Sequence, residues 1–365
     1  MSRSRVVISV SEDAKKWPRD EEGDPNFSSL AELQKFYDEI FFPYLLENRI
    51  NIIFQLGDLF DRRKFINFNS LHQAKKYFFD VCRENHIHVY ALVGNHDIAY
   101  KNTLEVNSPS LLLSEYDNVH IIDDFYTNEF HGVSMDFIPW LCDENQNDIL
   151  QKIKDSKSQI CFGHFELAGF EMDKGIVCDH GLDMKVLDRY DVVMSGHFHH
   201  KSTNGNITYV GTPYEMTWAD FQDPKGFHIF DTTNREMEFI RNPYDMFVQI
   251  FYDDNKQDFD WWKGYAFSEL KSTYVKVVVV NKQNPYLFDH VIDSIYKASA
   301  SDIAIVEDFN DAVLDSDDDL VDQAEDTITI LNKYIDNLQL DVEPDKLKTI
   351  MRELYVEALN TEVAE

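Results

Sequence analysis

The sequence predicts an α/β protein with a second, small β-α-β unit after about Pro243. Across the first two thirds of the chain, short apolar runs typical of strands alternate with longer helical patterns, which is the signature of an α/β domain. After Pro243 the pattern changes to a valine-rich strand, a helix and another strand, over residues 273–280, 287–296 and 303–306. A chain of 365 residues is also long for a single domain.

Two helices are predicted before the first site motifs. Apolar residues at helical spacing predict one helix from Ser29 to Glu47, with Ser28 or Ser29 as its cap. Pro43 lies inside that pattern and should kink the helix or end it early. The second helix should run from about Ser70 to Arg83.

Four apolar runs predict strands, and each leads to a glycine followed by side chains that can bind a metal. The runs and their motifs are Ile52–Phe54 with Gly57-Asp58-Leu59-Phe60-Asp61, His88–Val93 with Gly94-Asn95-His96-Asp97, Gln159–Phe162 with Gly163-His164-Phe165-Glu166, and Asp191–Met194 with Gly196-His197-Phe198-His199. Glycine lets the backbone turn where the strand stops, so the next side chain projects over the carboxyl edge of the sheet. One such motif occurs often by chance. Four in one chain indicate a site.

The side chains of these motifs also indicate the metal. Aspartate, asparagine and histidine without cysteine suit manganese or iron(II) better than a structural zinc. An aspartate can bridge two ions about 3.5–4 Å apart, an arrangement that cleaves phosphate esters. An imidazole that binds no ion can stabilise the developing charge or protonate the leaving oxygen.

Composition narrows the class of protein. With 34 basic and 66 acidic residues the formal net charge is −32, which excludes a protein that binds nucleic acid by bulk charge alone. No apolar run approaches a membrane span, and the first apolar run is too short for a signal peptide. The four cysteines are scattered without a CxxC pair, which predicts reduced, buried thiols and a cytoplasmic protein.

The C-terminal sixth of the chain has a different character. Residues 307–326 hold ten acidic and no basic residues, which predicts an acidic linker. Residues 327–365 read as helical, with an apolar stripe of Leu347, Ile350, Leu354 and Tyr355 after Pro344. This stripe either docks on a partner or packs back on the chain's own β-α-β unit.

Taken in order, the motifs resemble the calcineurin-like metallophosphoesterases. More narrowly they resemble the nuclease subunit of the SbcCD-type DNA repair complex, and above all the recombination endonuclease subunits of T-even-like phages. Two further segments match in order, Phe137-Ile138-Pro139-Trp140 and Gly211-Thr212-Pro213. The resemblance implies a four-layer β-sandwich flanked by helices over residues 1–242, a cap that contacts DNA over 243–306, and a helix that grips the coiled coil of an ABC-type ATPase.

The resemblance also implies a role for each motif residue. Asp58 bridges two ions, Asn95, His164 and His197 complete the shell of one ion, His199 binds the other, His96 is the catalytic imidazole, Asp97 orients His96, and Asp61 supports its loop. His200 matches no family role and reads as a surface neighbour.

One family motif is missing. The first strand of the family ends in Asp-x-His, and both residues bind the ion that carries His199. Here the aligned residues are Val10-Ser11-Glu12, followed by Asp13. Three explanations fit: a gene-model or frameshift artefact at the N-terminus, a weakened site that uses Glu12 or Asp13, or a scaffold that has lost activity.

Three functions therefore compete. The first is a manganese-dependent DNA nuclease that works with an ABC-type ATPase in DNA recombination and repair, as a homodimer within the complex. The second is a phosphatase or phosphodiesterase with another substrate, and the third is a non-catalytic assembly subunit. The tail favours the first function, and Arg62, Arg63, Lys64 and Lys101 supply positive charge near the motifs. The sequence leaves open whether the nuclease is an exonuclease or an endonuclease.

Overall fold

The structure is a computed structural model that describes residues 5–9, 33–60, 63, 65–173 and 176–307. The chain divides into two compact units, Met1–Ile305 and Val306–Glu365. Only Val306 and Glu307 of the second unit are described. The acidic linker, the C-terminal helix, the Val10–Asp13 segment and Asp61 thus lie outside the described residues, and the predictions on them stay predictions.

The described strands are numbered in chain order. They are β1 Arg5–Ser9, β2 Ile52–Gln55, β3 His88–Leu92, β4 Ile98–Tyr100, β5 Thr103–Asn107, β6 Val119–Ile122, β7 Tyr126–Phe130, β8 Val133–Ile138, β9 Ile160–His164, β10 Glu171–Asp173, β11 Ile176–Val177, β12 Val192–Gly196, β13 Ser202–Asn204, β14 Ile207–Tyr209, β15 Gly226–Asp231, β16 Met237–Arg241, β17 Phe247–Asp253, β18 Tyr274–Asn281 and β19 Asp302–Val306. The four strands predicted before the site motifs, β2, β3, β9 and β12, are confirmed.

Among the described residues, six longer or α-helical segments accompany these strands, with three short 3-10 helices at Met184–Leu187, Trp218–Asp220 and Phe267–Leu270. The six are α1 over residues 33–48, α2 over 68–84, α3 Ser108–Leu112, α4 Gln146–Asp155, α5 Phe259–Lys263 and α6 Pro285–Lys297. Asn67, rather than a serine, caps α2, because its side chain accepts the N–H groups of Asn69 and Ser70. Within the described ranges, none of the helices has the length and apolar character that a membrane crossing requires.

Pro43 does not end α1 early. The helix continues to Asn48 and closes on Arg49, whose φ of 56° is left-handed. A π-helical segment, Tyr37–Phe41, precedes the proline. Proline has no N–H to donate, yet the helix continues through it. A π-helical segment also lies in α2, at Lys75–Phe79, where there is no proline.

Two six-stranded sheets form the centre of the molecule. The first sheet has the order β16-β15-β1-β2-β3-β6, and the second has the order β13-β14-β12-β9-β8-β7. A short third sheet, β17-β18-β19, follows after Pro243, where the predicted strand, helix and strand are confirmed as β18, α6 and β19. The structure also contains a strand that was not predicted, β17, which pairs with β18 in parallel.

Packing arranges the two large sheets and their helices in four layers. Alternate residues of β1 and β2 face opposite sides, so Val7 and Ile53 pack on α1 and α2, while Ile8 and Phe54 pack toward the second sheet. The outer face of the second sheet is covered by α4 and its neighbours. The family resemblance predicted this α/β/β/α layering, and it is confirmed.

The motif strands do not share one sheet. Strands β2 and β3 are parallel neighbours in the first sheet, and β9 and β12 are parallel neighbours in the second. Phe54 and Phe162 meet between the sheets with ring centroids 4.8 Å apart. The carboxyl ends of all four strands therefore come together where the two sheets abut, and this edge carries the candidate site.

Candidate metal centre

Asp58 lies at the centre of the site. Its carboxylate is buried, and its Oδ2 lies 3.2 Å from Nε2 of His164. Its Oδ1 accepts the backbone N–H of His96 at 2.8 Å. Burial by itself would raise the pKa of Asp58, but the neighbouring imidazoles of His164, His96 and His197 outweigh it and hold the pKa well below its usual range. Asp58 is therefore ionised and can serve as a metal ligand.

Asn95 places its amide oxygen among two imidazoles. Oδ1 of Asn95 lies 2.9 Å from Nε2 of His164 and 3.0 Å from Nδ1 of His197. Ligand atoms of Asp58, His164 and His197 lie within 4.8 Å of one another. The sequence predicted these four residues as ligands of one ion, and the structure brings them together.

The protonation of His164 suits a cation at this point. Its Nδ1 lies 2.6 Å from the carbonyl oxygen of Leu56, which can only accept a hydrogen bond, so Nδ1 carries the proton. Burial would lower the pKa of His164, but the charge and hydrogen bond of Asp58 outweigh it and raise this pKa. A bound cation would displace the proton from Nε2 and face its lone pair together with the oxygens of Asp58 and Asn95. Lone pairs that converge in this way fit a divalent ion, and the Leu56 carbonyl fixes the tautomer that an ion requires.

The backbone at the site is tightly constrained. Asp58 has a φ of 56° and His197 a φ of 90°, both in the left-handed region that such residues rarely adopt. A Cβ on Gly94 would lie 2.1 Å from Oδ1 of Asp58. The sequence explained this glycine by a sharp turn. The structure shows instead that Gly94 is required because the β3 loop passes directly over the aspartate.

Comparisons with known proteins agree with this geometry. A family model described as calcineurin-like phosphoesterase matches residues 23–201. Exonuclease subunit 1 of enterobacteria phage T4 is 33% identical over 319 residues, which cover 86% of this chain and 90% of that protein. The chain belongs to the calcineurin-like phosphoesterase family.

Solved structures give weaker likenesses. A novel archaeal phosphodiesterase matches with a TM-score of 0.33 and 14% identity, over 65% of this chain and 99% of its own. A protein of unknown function from Aquifex aeolicus matches with a TM-score of 0.27 and 13% identity, over 51% of this chain and 94% of its own. Both TM-scores are low, so neither likeness supports a conclusion about this chain.

Phosphoesterases of this family act through divalent metal ions, and the cluster around Asp58 is a group that can hold one. His199, predicted to bind the second ion, lies outside that cluster of the described residues. It is nearly buried, and its backbone carbonyl accepts Nζ of Lys225 at 2.9 Å. The segment that aligns with the missing family motif, Val10–Asp13, lies outside the described residues, so the three explanations for it stay open.

Asp97 connects two loops of the phosphoesterase site. Its carboxylate accepts the backbone N–H of Phe60 at 3.1 Å and that of Gly94 at 2.8 Å. Burial and the nearby charge of Asp58 raise the pKa of Asp97 to about 7, although its backbone hydrogen bonds oppose the shift. The sequence did not indicate this link. The predicted orientation of His96 by Asp97 stays a prediction.

Two neighbours of the site were missed or misread. Glu166 was quoted within a motif but given no role, and its Oε2 lies 3.3 Å from Nε2 of His197. His200 was read as a surface neighbour, but its Nδ1 lies 3.0 Å from buried Asp223. In the sequence, only the position of Glu166, two residues after the candidate ligand His164, indicated that it lies near the site. Nothing in the sequence pairs His200 with Asp223.

Proposed function

We propose that this phosphoesterase is the nuclease subunit of a DNA-processing complex, a metal-dependent hydrolase of phosphodiester bonds. The observation that supports this most is the convergence of Asp58, Asn95, His164 and His197 in a chain that aligns with 90% of phage T4 exonuclease subunit 1. Recombination and repair of DNA are the processes that such a subunit would serve.

Asp58, Asn95, His164 and His197 would hold one ion, and Asp58 with His199 would hold a second. Oxygen and imidazole donors without a thiolate suit manganese. When bound, the ions supply Lewis acidity toward a phosphate group. The chain itself would place the His96 imidazole beside the phosphate, because the backbone N–H of His96 is fixed to Asp58. His96 would then stabilise charge or donate a proton to the leaving oxygen.

A catalytic assay separates this function from its two rivals. The full chain should hydrolyse single-stranded DNA in the presence of manganese and act far less on a simple phosphate monoester. Asp58→Ala serves as the inactive control. Hydrolysis of the monoester without any cleavage of DNA would assign a phosphatase instead. Inactivity on both substrates, with manganese bound, would assign a scaffold subunit.

The acidity of the chain implies that DNA binding depends on a partner. A formal charge of −32 repels the phosphate backbone, and only local cations such as Arg63 and Lys101 oppose it near the site. In the cap, Trp261 is 46% exposed and Lys263 lies over the ring of Phe259, which together offer a surface for stacked bases. We expect weak DNA affinity for the isolated subunit and a large gain with its partner, measured by titration of labelled DNA.

The proposed partner is an ABC-type ATPase, gripped through the helix predicted in residues 327–365. The T4 relative is named as a subunit, which supports an assembly. Burial of Leu347, Ile350, Leu354 and Tyr355 would contribute roughly 1.5–3 kcal/mol each before ordering costs. Deletion from Thr327 onward should abolish co-purification with the ATPase and leave the thermal midpoint unchanged. A much lower midpoint would show that the stripe belongs to the chain's own core.

A homodimer within the complex has support from an exposed apolar surface at the start of α2 and at α3. Phe65, Phe68 and Leu111 are 75%, 86% and 68% exposed, beside a cavity of about 320 Å³ that Phe65 and Leu111 line. Isolated proteins seldom expose so many large apolar side chains together. Phe68→Asp should convert a dimer into a monomer in light scattering, and Tyr286→Asp, exposed on the cap, should not.

A further inference from the structure

A second group of metal-binding side chains lies beside the phosphoesterase centre. It consists of Glu166, Cys178 and His180, whose ligand atoms all lie within 4.8 Å of one another. None of the three has a part in the proposed phosphodiester hydrolysis. Carboxylate, thiol and imidazole together are the donors that zinc prefers, with a fourth position left for water.

Backbone hydrogen bonds hold the three residues in place. The N–H of Leu182 donates to the carbonyl of Glu166 at 2.8 Å, and the N–H of Cys178 donates to the carbonyl of Phe170 at 2.8 Å. Gly181 has a φ of 92°, and a Cβ there would lie 2.6 Å from the carbonyl oxygen of Glu166. The segment that carries Cys178 and His180 is thus packed directly on the segment that carries Glu166.

The tautomer of His180 leaves a lone pair facing a carboxylate. Nδ1 of His180 lies 2.9 Å from Oδ1 of Asp179, and an ionised carboxylate can only accept, so Nδ1 carries the proton. In the neutral ring, Nε2 is then unprotonated. This nitrogen is inaccessible to solvent, has no hydrogen-bond partner among the described residues, and lies 3.4 Å from Oε1 of Glu166. A cation between the two atoms would remove their repulsion.

The other two donors are compatible with this cation. Glu166 directs its second oxygen, Oε2, to Nε2 of His197, so Oε1 is available. The thiol of Cys178 is buried and donates to the carbonyl of His180 at 3.1 Å. On metal binding the thiol would lose this proton and ligate as a thiolate. The Asp179 carboxylate would act on His180 as the Leu56 carbonyl acts on His164.

We propose that Glu166, Cys178 and His180 form a separate site for a single thiophilic divalent cation, with zinc as the expected ion. A cavity of about 290 Å³ lies beside Glu166 and is also lined by Trp140 and His164. Through the two oxygens of Glu166, the site also joins the His197 side of the phosphoesterase centre. The proposal does not rest on the nuclease function, since none of the three residues is a proposed ligand or the catalytic imidazole of that reaction. Glu166 contacts the phosphoesterase centre through His197.

Cobalt spectroscopy tests the site directly. The full chain is stripped with a chelator and titrated with Co²⁺, because only a thiolate ligand gives an intense near-ultraviolet charge-transfer band. The Asp58 centre contains no thiol and cannot produce it. We expect the band in the wild type and in Asp58→Ala, and we expect added zinc to remove it. Asp179→Ala should weaken cobalt binding by about 10–100-fold.

Cys178→Ser should abolish the band, and the matched control Cys142→Ser, at another buried cysteine, should keep it. Zinc bound per chain, measured by mass spectrometry, should fall by one equivalent in Cys178→Ser and in His180→Ala. If Cys178→Ser does not fold, His180→Ala decides alone, because its ring is partly exposed. A wild type without the band, or a band that survives in Cys178→Ser, would overturn the proposal.

Discussion

The two sides of the phosphoesterase centre are built differently. On the Asn95 side, the side chains of Asp58, Asn95, His164 and His197 converge on one point within hydrogen-bonding distance. On the His199 side, buried charges lie around the histidine: burial would raise the pKa of Asp220, but Lys225 and the His199 imidazole lower it. Lys225 bonds the His199 carbonyl and pairs with buried Asp220 at 2.5 Å and Asp223 at 2.9 Å.

The difference shows that the side chains that could bind an ion and the contacts that hold the surrounding backbone can come from different residues. On the Asn95 side, a single ion would satisfy the lone pairs that converge there. The His199 side is held by buried charges at Asp220, Asp223 and Lys225, and the further ligands of its expected ion would come from another part of the chain. We therefore expect the Asn95 side to bind its ion more tightly, and the following changes test that order.

The largest effect is expected for Asp58→Ala, which removes the ligand shared by both sides. Calorimetric titration with manganese should show loss of both ions and, with them, loss of DNA cleavage. His164→Ala should remove chiefly the tight ion, and His199→Ala only the weak one. Unchanged stoichiometry in Asp58→Ala would refute the bridge, and equal losses in the two histidine variants would refute the difference between the sides.

His96→Ala should separate catalysis from metal binding on the Asn95 side. Asn95 supplies a neutral oxygen to the cluster. The adjacent His96 would face the phosphate of a bound substrate. Turnover should fall by roughly 10²–10⁴, the usual contribution of a general acid, while manganese affinity stays nearly unchanged. Joint loss of metal and activity would show that His96 is itself a ligand.

Lys225→Met should destabilise the His199 side. The change leaves the carboxylates of Asp220 and Asp223 buried without their cation, which costs about 3–5 kcal/mol of the free energy of unfolding. Lys152→Met is the control, because Lys152 forms exposed pairs with Asp124 and Asp148, and its loss should cost at most about 1 kcal/mol. Urea unfolding measures both. Equal losses would contradict a special role for the buried pairs.

Glu215 should make the same segment sensitive to pH. Burial raises its pKa from 4.5 to about 7, against the opposing hydrogen bonds from the N–H groups of Phe247 and Met246. A raised carboxyl pKa means that the folded state binds more protons, so this stability is present below pH 4.5 and is lost as the pH rises through 7. The loss amounts to about 3 kcal/mol.

Glu215→Gln keeps an oxygen that can accept these hydrogen bonds and removes the titration. The thermal midpoint of the variant should therefore decline less between pH 5 and pH 8.5 than that of the wild type. Glu105→Gln, at an exposed position, should behave as the wild type does. Parallel profiles for Glu215→Gln and the wild type would show that another group controls the pH dependence.

The sequence by itself determined the strands, the position of each motif and most of the ligand set on the Asn95 side. Alternation of apolar residues marks a buried strand, and a glycine followed by a polar side chain marks its end, so both are local signals. The four buried, free cysteines were predicted from their scattered positions and the lack of a CxxC pair. Of the two outcomes predicted for Pro43, a kink or an early end, the early end was wrong, because the helix continues to Asn48.

Only the tertiary structure decided which polar groups meet. Lys225 and the His199 carbonyl are 26 residues apart, and the Asp97 carboxylate reaches back 37 residues to the N–H of Phe60. The grouping of Glu166, Cys178 and His180 likewise depends on the packing of two segments at Gly181. Periodicity in a sequence reports whether a residue is buried. Its hydrogen-bond or ionic partner is set by the folding of distant segments together, and that information lies in no single stretch of the chain.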